Sequence, residues 1–188
     1  MPLNIPNILT LSRLGFIPII IVFFFLPYDW ARPAAAWIYG LAAVTDWFDG
    51  YFARKLNQQS ALGAFLDPVA DKLIVAVALI LIASESAEYH WLVILGTIVI
   101  ISREITISAL REWMATLGKS STVAVSMIGK VKTVAQMFTI GFLMHQQPFY
   151  GLDTRFIGVI LLMIATVLTV LSMVIYLKLA WKEMRDHT

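Results

Sequence analysis

The 188-residue sequence has no cysteine, and only 14% of its residues are charged. The missing thiols exclude disulfides, thiolate metal sites and a cysteine nucleophile. A soluble domain of this length carries about 25% charged residues, so the shortage of charge argues against disorder, nucleic-acid binding and an ordinary cytosolic enzyme. The net charge of +2 is too small to direct any interaction by itself. Low-complexity stretches, internal repeats and long linkers are also lacking.

Apolar sequence fills the space, at 60% hydrophobic residues with a mean hydropathy of +0.81. About 20 apolar residues cross a bilayer core as a helix. Six apolar runs, near residues 8–26, 34–56, 62–83, 91–114, 123–144 and 156–179, predict an all-α integral membrane protein. The expected architecture is a six-helix transmembrane bundle, one domain over residues 1–188, with its chemistry on the spans themselves. Asn7 is the expected N-cap of the first helix. The first twelve residues hold no Lys or Arg, which argues against a cleavable signal peptide despite Ala34-Ala35-Ala36.

Basic residues accumulate on the cytoplasmic side of membranes. With both termini cytoplasmic, twelve Lys and Arg fall at inner span ends, loops or the tail, and only Arg32 and Arg155 fall outside. The aromatic residues are expected to form interfacial belts or fill the core.

The second and third runs carry acids where lipid would surround them. Asp46 and Asp49 lie one helical turn apart, and Asp67 and Asp71 are spaced i, i+4 on the next helix. An Asp at the centre of a span costs about 2.5–3.5 kcal/mol, and four converging carboxylates repel one another. Two divalent cations would cancel their charge, and a metal pair about 3.5–4 Å apart is the usual clamp for displacement at phosphorus. Oxygen ligands favour Mg²⁺ or Mn²⁺ over zinc. The bland alternative pairs these acids with Arg54, Lys55 and Lys72 as interfacial salt bridges.

Arg103 and Arg111 lie eight residues apart on the fourth run, about 80° around an ideal helix. One broad face can hold both. Lys130 begins the fifth helix, and Lys132 lies about 200° around it, so one of the two lysines points elsewhere. Salt bridges to Glu104 and Glu112 are the competing use of these cations.

The pattern Asp46-x-x-Asp49-Gly50-x-x-Ala53-Arg54, eight residues, then Gly63-x-x-x-Asp67-x-x-x-Asp71 resembles the signature of the CDP-alcohol phosphatidyltransferases at every fixed position. Further stretches, including Asn4-Ile5-Pro6-Asn7 and Phe65-Leu66-Asp67-Pro68-Val69-Ala70-Asp71-Lys72, extend the resemblance over nearly the whole chain, toward the branch whose acceptor is glycerol 3-phosphate. The resemblance implies a six-helix homodimer in the bacterial inner membrane, with its active site facing the cytoplasm. It also implies transfer of a phosphatidyl group from CDP-diacylglycerol to an alcohol, with release of CMP. Asp46, Asp49, Asp67 and Asp71 would bind two divalent cations, Mg²⁺ or Mn²⁺, and Asp71 would be the catalytic base. Asp49, Gly50, Ala53, Arg54 and Gly63 would contact CDP-diacylglycerol, small residues allowing close approach. Arg103, Arg111, Lys130 and Arg13 would hold the acceptor phosphate, Arg13 as a lid or else as a snorkelling flank. Membrane lipids are the other expected partners, and nucleic acid is not one. Another acceptor, such as inositol phosphate, serine or a lipid, is the nearest alternative. A divalent-cation transporter is a distant one, because the acids gather toward one surface and the two halves show no repeat.

Overall fold

The computed structural model describes residues 5–56, 61–85, 89–116, 127–148 and 150–185; within its helices the side chains of residues 5–9, 46–56, 61–62, 64–65, 127–130 and 182–184 are outside that description. The described residues form helices α1 (Ile5–Phe25), α2 (Ala31–Leu56), α3 (Ala61–Glu85), α4 (His90–Thr116), α5 (Met127–His145) and α6 (Thr154–Arg185). Each matches one expected apolar run and extends past it at one end or both. The expected start of the fifth run, at Val123, lies outside the described residues.

The start of α1 differs from expectation, since Asn7 lies inside the helix, not at its cap. Pro6 explains this: proline fits the first turn, where its missing N–H has no intrahelical partner. A genuine cap stands at α6, where the Asp153 carboxylate accepts from the backbone N–H of Arg155 at 3.0 Å and of Phe156 at 3.1 Å. At the end of α5, Gln146 adopts a left-handed conformation, φ 57°, which closes the helix.

Helix α1 packs on α2 and α3, α5 on α6 and α2, and α4 on α6 and α3. The main core joins Ile20 and Phe24 of α1, Tyr39 of α2, Leu79 of α3, Ile100 of α4, Ile140 and Met144 of α5 and Leu162 of α6. Two glycines set the closest approaches. A Cβ on Gly96 would stand 2.8 Å from Leu162 Cγ, and one on Gly158 would stand 2.7 Å from Leu143 Cγ. Small residues at such contacts let helices approach where lipid supplies no hydrophobic drive.

Outside this apolar core, the surface carries large apolar side chains that a water-soluble bundle would cover. Trp37, Leu41, Ile80, Leu95, Ile98, Phe138, Ile164 and Val167 face outward, while Arg13, Arg103, Lys132, Gln136, Thr139 and Ser172 are buried. In lipid, polar groups must find partners inside the protein. Among the described residues, α4 and the Thr154–Trp181 part of α6 are long and apolar enough to cross a membrane, and Thr10–Phe25 is a shorter apolar helix. The buried polar groups gather where α1, α3 and α5 are near their starts and α2, α4 and α6 are past their middles, and this placement creates a site.

Candidate active site

A cavity of about 800 Å³ opens in that half of the bundle, and all six helices line it. Helix α3 supplies two carboxylates one turn apart, Asp67 and Asp71, with Lys72 beside them. Their side chains are 44% and 47% exposed, so both retain oxygen lone pairs open to the cavity. Helix α1 fixes them from behind. Thr10 donates its hydroxyl to Asp67, and Arg13 donates to Asp71 while its second Nη lies 3.7 Å from Asp67. Arg13 lines the cavity and is 1% exposed. The two acids supply the counter-charge that a buried guanidinium requires.

Helices α4 and α5 bring Arg103, Arg111 and Lys132 to the same cavity, beside Glu104 and Glu112. Arg103 of α4 donates to Glu104 at 3.1 Å and to Ser172 Oγ of α6 at 3.2 Å. Lys132 of α5 also donates to Glu104, so one carboxylate bridges two buried cations on different helices. Two turns beyond Arg103, Arg111 reaches the hydroxyl of Tyr176 at 3.4 Å. The guanidinium carbons of Arg103 and Arg111 lie 5.6 and 5.4 Å from the centre of the Tyr176 ring. Thr133 and Gln136 of α5 also line it.

Among the expected site residues, the structure therefore brings Arg13, Asp67, Asp71, Arg103 and Arg111 to one cavity. Gly63 is buried one turn ahead of Asp67. Asp46, Asp49, Gly50, Ala53 and Arg54 belong to the helical backbone of α2, but their side chains lie outside the described residues, as does that of Lys130. Ala42 and Ala43 of α2 line the cavity, and positions 46 and 49 follow Ala42 by one and two turns. Lys132 of α5 lines the cavity.

Glu104 acts partly as the salt-bridge reading anticipates, since it is paired with Arg103 and Lys132. Tyr176 was not distinguished in sequence from a belt or core aromatic. Its position one turn after Ser172, on a helix facing two arginines, is the signal that marks it.

The donors on α3 suit a hard divalent cation: two carboxylates at helical spacing, half-exposed and open to a polar cavity. No three His, Asp or Glu side chains come together among the described residues. The cavity offers oxygen donors on α3 and guanidinium groups on α4, with room for small polar groups.

Comparison with known proteins gives the same direction. A model of the CDP-alcohol phosphatidyltransferase family matches residues 3–171. The chain is 49% identical over 188 residues, the whole of both chains, to the CDP-diacylglycerol–glycerol-3-phosphate 3-phosphatidyltransferase of Salmonella choleraesuis (strain SC-B67). It is 50% identical, again over 188 residues and the whole of both chains, to the enzymes of the same name from Shigella flexneri serotype 5b (strain 8401) and Escherichia coli (strain K12). The chain belongs to the CDP-alcohol phosphatidyltransferase family.

Proposed function

We propose that this protein transfers the phosphatidyl group of CDP-diacylglycerol to sn-glycerol 3-phosphate, giving phosphatidylglycerophosphate and CMP. The observation that carries the reading is one cavity lined both by the carboxylates Asp67 and Asp71 of α3 and by the guanidinium groups Arg103 and Arg111 of α4. A phosphorylated acceptor needs such cations, and arginine suits bidentate contact with phosphate. Full-length identity of about 50% to enzymes named for this acceptor supports the assignment.

The free hydroxyl of glycerol 3-phosphate attacks the phosphorus that carries diacylglycerol. A new oxygen–phosphorus bond forms, the bond to CMP breaks, and the hydroxyl proton passes to the Asp71 carboxylate. Asp46, Asp49, Asp67 and Asp71 hold two divalent cations, Mg²⁺ or Mn²⁺, which supply neutralisation of the diphosphate charge when bound. Arg13 orients Asp71 from behind. Gly50, Ala53 and Gly63 allow the nucleotide close to the helix backbones, with Arg54 and Asp49 beside it. Arg103 and Arg111, with a lysine from α5, Lys130 or Lys132, hold the acceptor phosphate and so align its hydroxyl.

All six helices act as spans in a bacterial inner membrane, with both termini and the cavity on the cytoplasmic side. The exposed apolar flanks support this, as does the distribution of basic residues. Acyl chains enter between helices while the charged headgroup meets water. The protein works as a homodimer.

The test is CMP release by purified protein from CDP-diacylglycerol with Mg²⁺ or Mn²⁺, offering glycerol 3-phosphate, inositol, inositol phosphate or serine. Release with glycerol 3-phosphate alone, lost in Asp71→Asn, is the expected result. Release with a different acceptor instead retains the chemistry and removes the acceptor assignment.

A further inference from the structure

We propose that Tyr176 is a positioning residue for acceptor recognition, its ring and hydroxyl holding the guanidinium groups of Arg103 and Arg111 in place. The inference rests on the reading of these two arginines as the acceptor-phosphate site.

Arg103 and Arg111 are both cations on one helix, directed at one cavity. Left to themselves they repel, and each long side chain has many rotamers to lose when it binds. Tyr176 counters both problems from the facing helix. It is 2% exposed, so its ring is a fixed surface. One guanidinium carbon lies 5.6 Å and the other 5.4 Å from that ring's centre, within the range of cation–π attraction. Its hydroxyl takes a 3.4 Å contact from Arg111. One turn earlier Ser172 accepts from Arg103 at 3.2 Å, and its own hydroxyl donates to the Thr169 carbonyl at 2.9 Å.

A neutral aromatic suits this task better than an acid. A carboxylate beneath the arginines would steady them but compete with an incoming phosphate, as Glu104 already does on the other side of Arg103. The ring attracts cations without neutralising them. Arg103 spends one Nη on Glu104 and the other on Ser172. Its buried Nε has no hydrogen-bond partner among the described residues.

The experiment measures KM for each substrate separately in the wild type, Tyr176→Leu, Tyr176→Phe and Ser172→Ala. Tyr176→Leu is expected to raise KM for glycerol 3-phosphate about tenfold, because two cation–π contacts are lost. KM for CDP-diacylglycerol should stay within about twofold, and kcat at saturating acceptor should fall less than about threefold. Tyr176→Phe keeps the ring and is expected to restore most of the loss, leaving a rise of about twofold to threefold. Ser172→Ala should raise the same KM by a similar small factor.

A purely structural role would move both KM values together, or lower kcat alone, and either result overturns the proposal. If Tyr176→Leu does not give folded protein, Tyr176→Phe decides: an unchanged KM for glycerol 3-phosphate overturns it. A wild type that uses only another acceptor defeats the functional reading and this inference with it. A wild type active with glycerol 3-phosphate, but indifferent to Tyr176→Leu, defeats the inference alone.

Discussion

Arg13 of α1 donates to the carboxylate of Asp71 on α3, across 58 positions of sequence, and is itself 1% exposed. Burial makes the guanidinium dependent on its acids, and the half-exposed Asp71 keeps a face toward the cavity. Arg13→Met removes the buried charge while retaining an unbranched side chain. The expected result is a folded protein whose kcat/KM falls about a hundredfold, the size of loss that a misplaced catalytic group produces. Arg13→Lys restores the charge without the second Nη contact to Asp67 and should recover part of the rate. The check is CMP release alongside thermal unfolding in detergent. Equal activity in Arg13→Met and wild type would sever Arg13 from the site.

Asp67 and Asp71 differ in their second partners, since Thr10 donates to the former and Arg13 to the latter. As members of one metal set, either changed to Asn should weaken Mn²⁺ binding, measured by electron paramagnetic resonance of the titrated ion. As a base, Asp71 should show an additional kinetic loss: Asp71→Asn lowers kcat by about 10²–10⁴ even at saturating Mn²⁺. Asp67→Asn is expected to be partly rescued by raising the metal concentration. A chelator should abolish turnover in the wild type, and either Mg²⁺ or Mn²⁺ should restore it. Rescue of Asp71→Asn by excess metal would reassign that residue to metal binding alone.

Much of this arrangement is legible in the sequence because it rests on local periodicity. Apolar runs of span length mark the six helices, and the i, i+4 spacing of Asp67 and Asp71 places them on one face without tertiary information. The partner of Arg13 is not legible, because a pairing over 58 positions depends on how α1 crosses α3. For Lys130 and Lys132, helical geometry separates the two directions but does not say which faces inward. Only the packing of α5 against α2 and α6 places Lys132 in the cavity. Tyr176 is the furthest from legibility, since a tyrosine near the end of an apolar helix has the same local signature as a belt residue. The start of α1 was misplaced because an asparagine capping signal stood just after a proline that fits a first turn.

Glu104 bridges Arg103 and Lys132, whose side chains are only 7% and 4% exposed. Removing one partner of a buried ionic cluster strands the others, at a cost of about 3–5 kcal/mol in a dry interior. This cluster lines the cavity and Glu104 is 24% exposed, so Glu104→Gln should fall at the low end of that range, about 3 kcal/mol. Glu104→Gln combined with Lys132→Met removes a cation with the anion and is expected to be less destabilised than Glu104→Gln alone. Denaturant titration of the two variants in detergent measures the difference. Equal destabilisation would mean that the Lys132 pairing does not contribute to holding α4 and α5 together.

The glycine contacts give a prediction that is independent of the chemistry. At Gly96 the three atoms nearest to the added Cβ of alanine are all in the Leu162 side chain, at 2.8–3.0 Å. At Gly158 it meets Leu143 side-chain atoms at 2.7 Å and the Leu143 backbone nitrogen at 3.1 Å. Overpacking of this kind costs about 1–3 kcal/mol, so Gly96→Ala and Gly158→Ala should each lower the midpoint of thermal unfolding. Trimming the opposing leucine separates the two cases. Leu162→Ala removes the three atoms nearest to the added Cβ of Gly96→Ala, and the double variant should regain stability relative to the sum of the single changes. Leu143→Ala leaves the backbone nitrogen in place, so the coupling with Gly158→Ala should be smaller. Both double-mutant cycles read the approach of α6, to α4 at Gly96 and to α5 at Gly158. Additive effects in the Gly96 cycle would contradict the contact with Leu162.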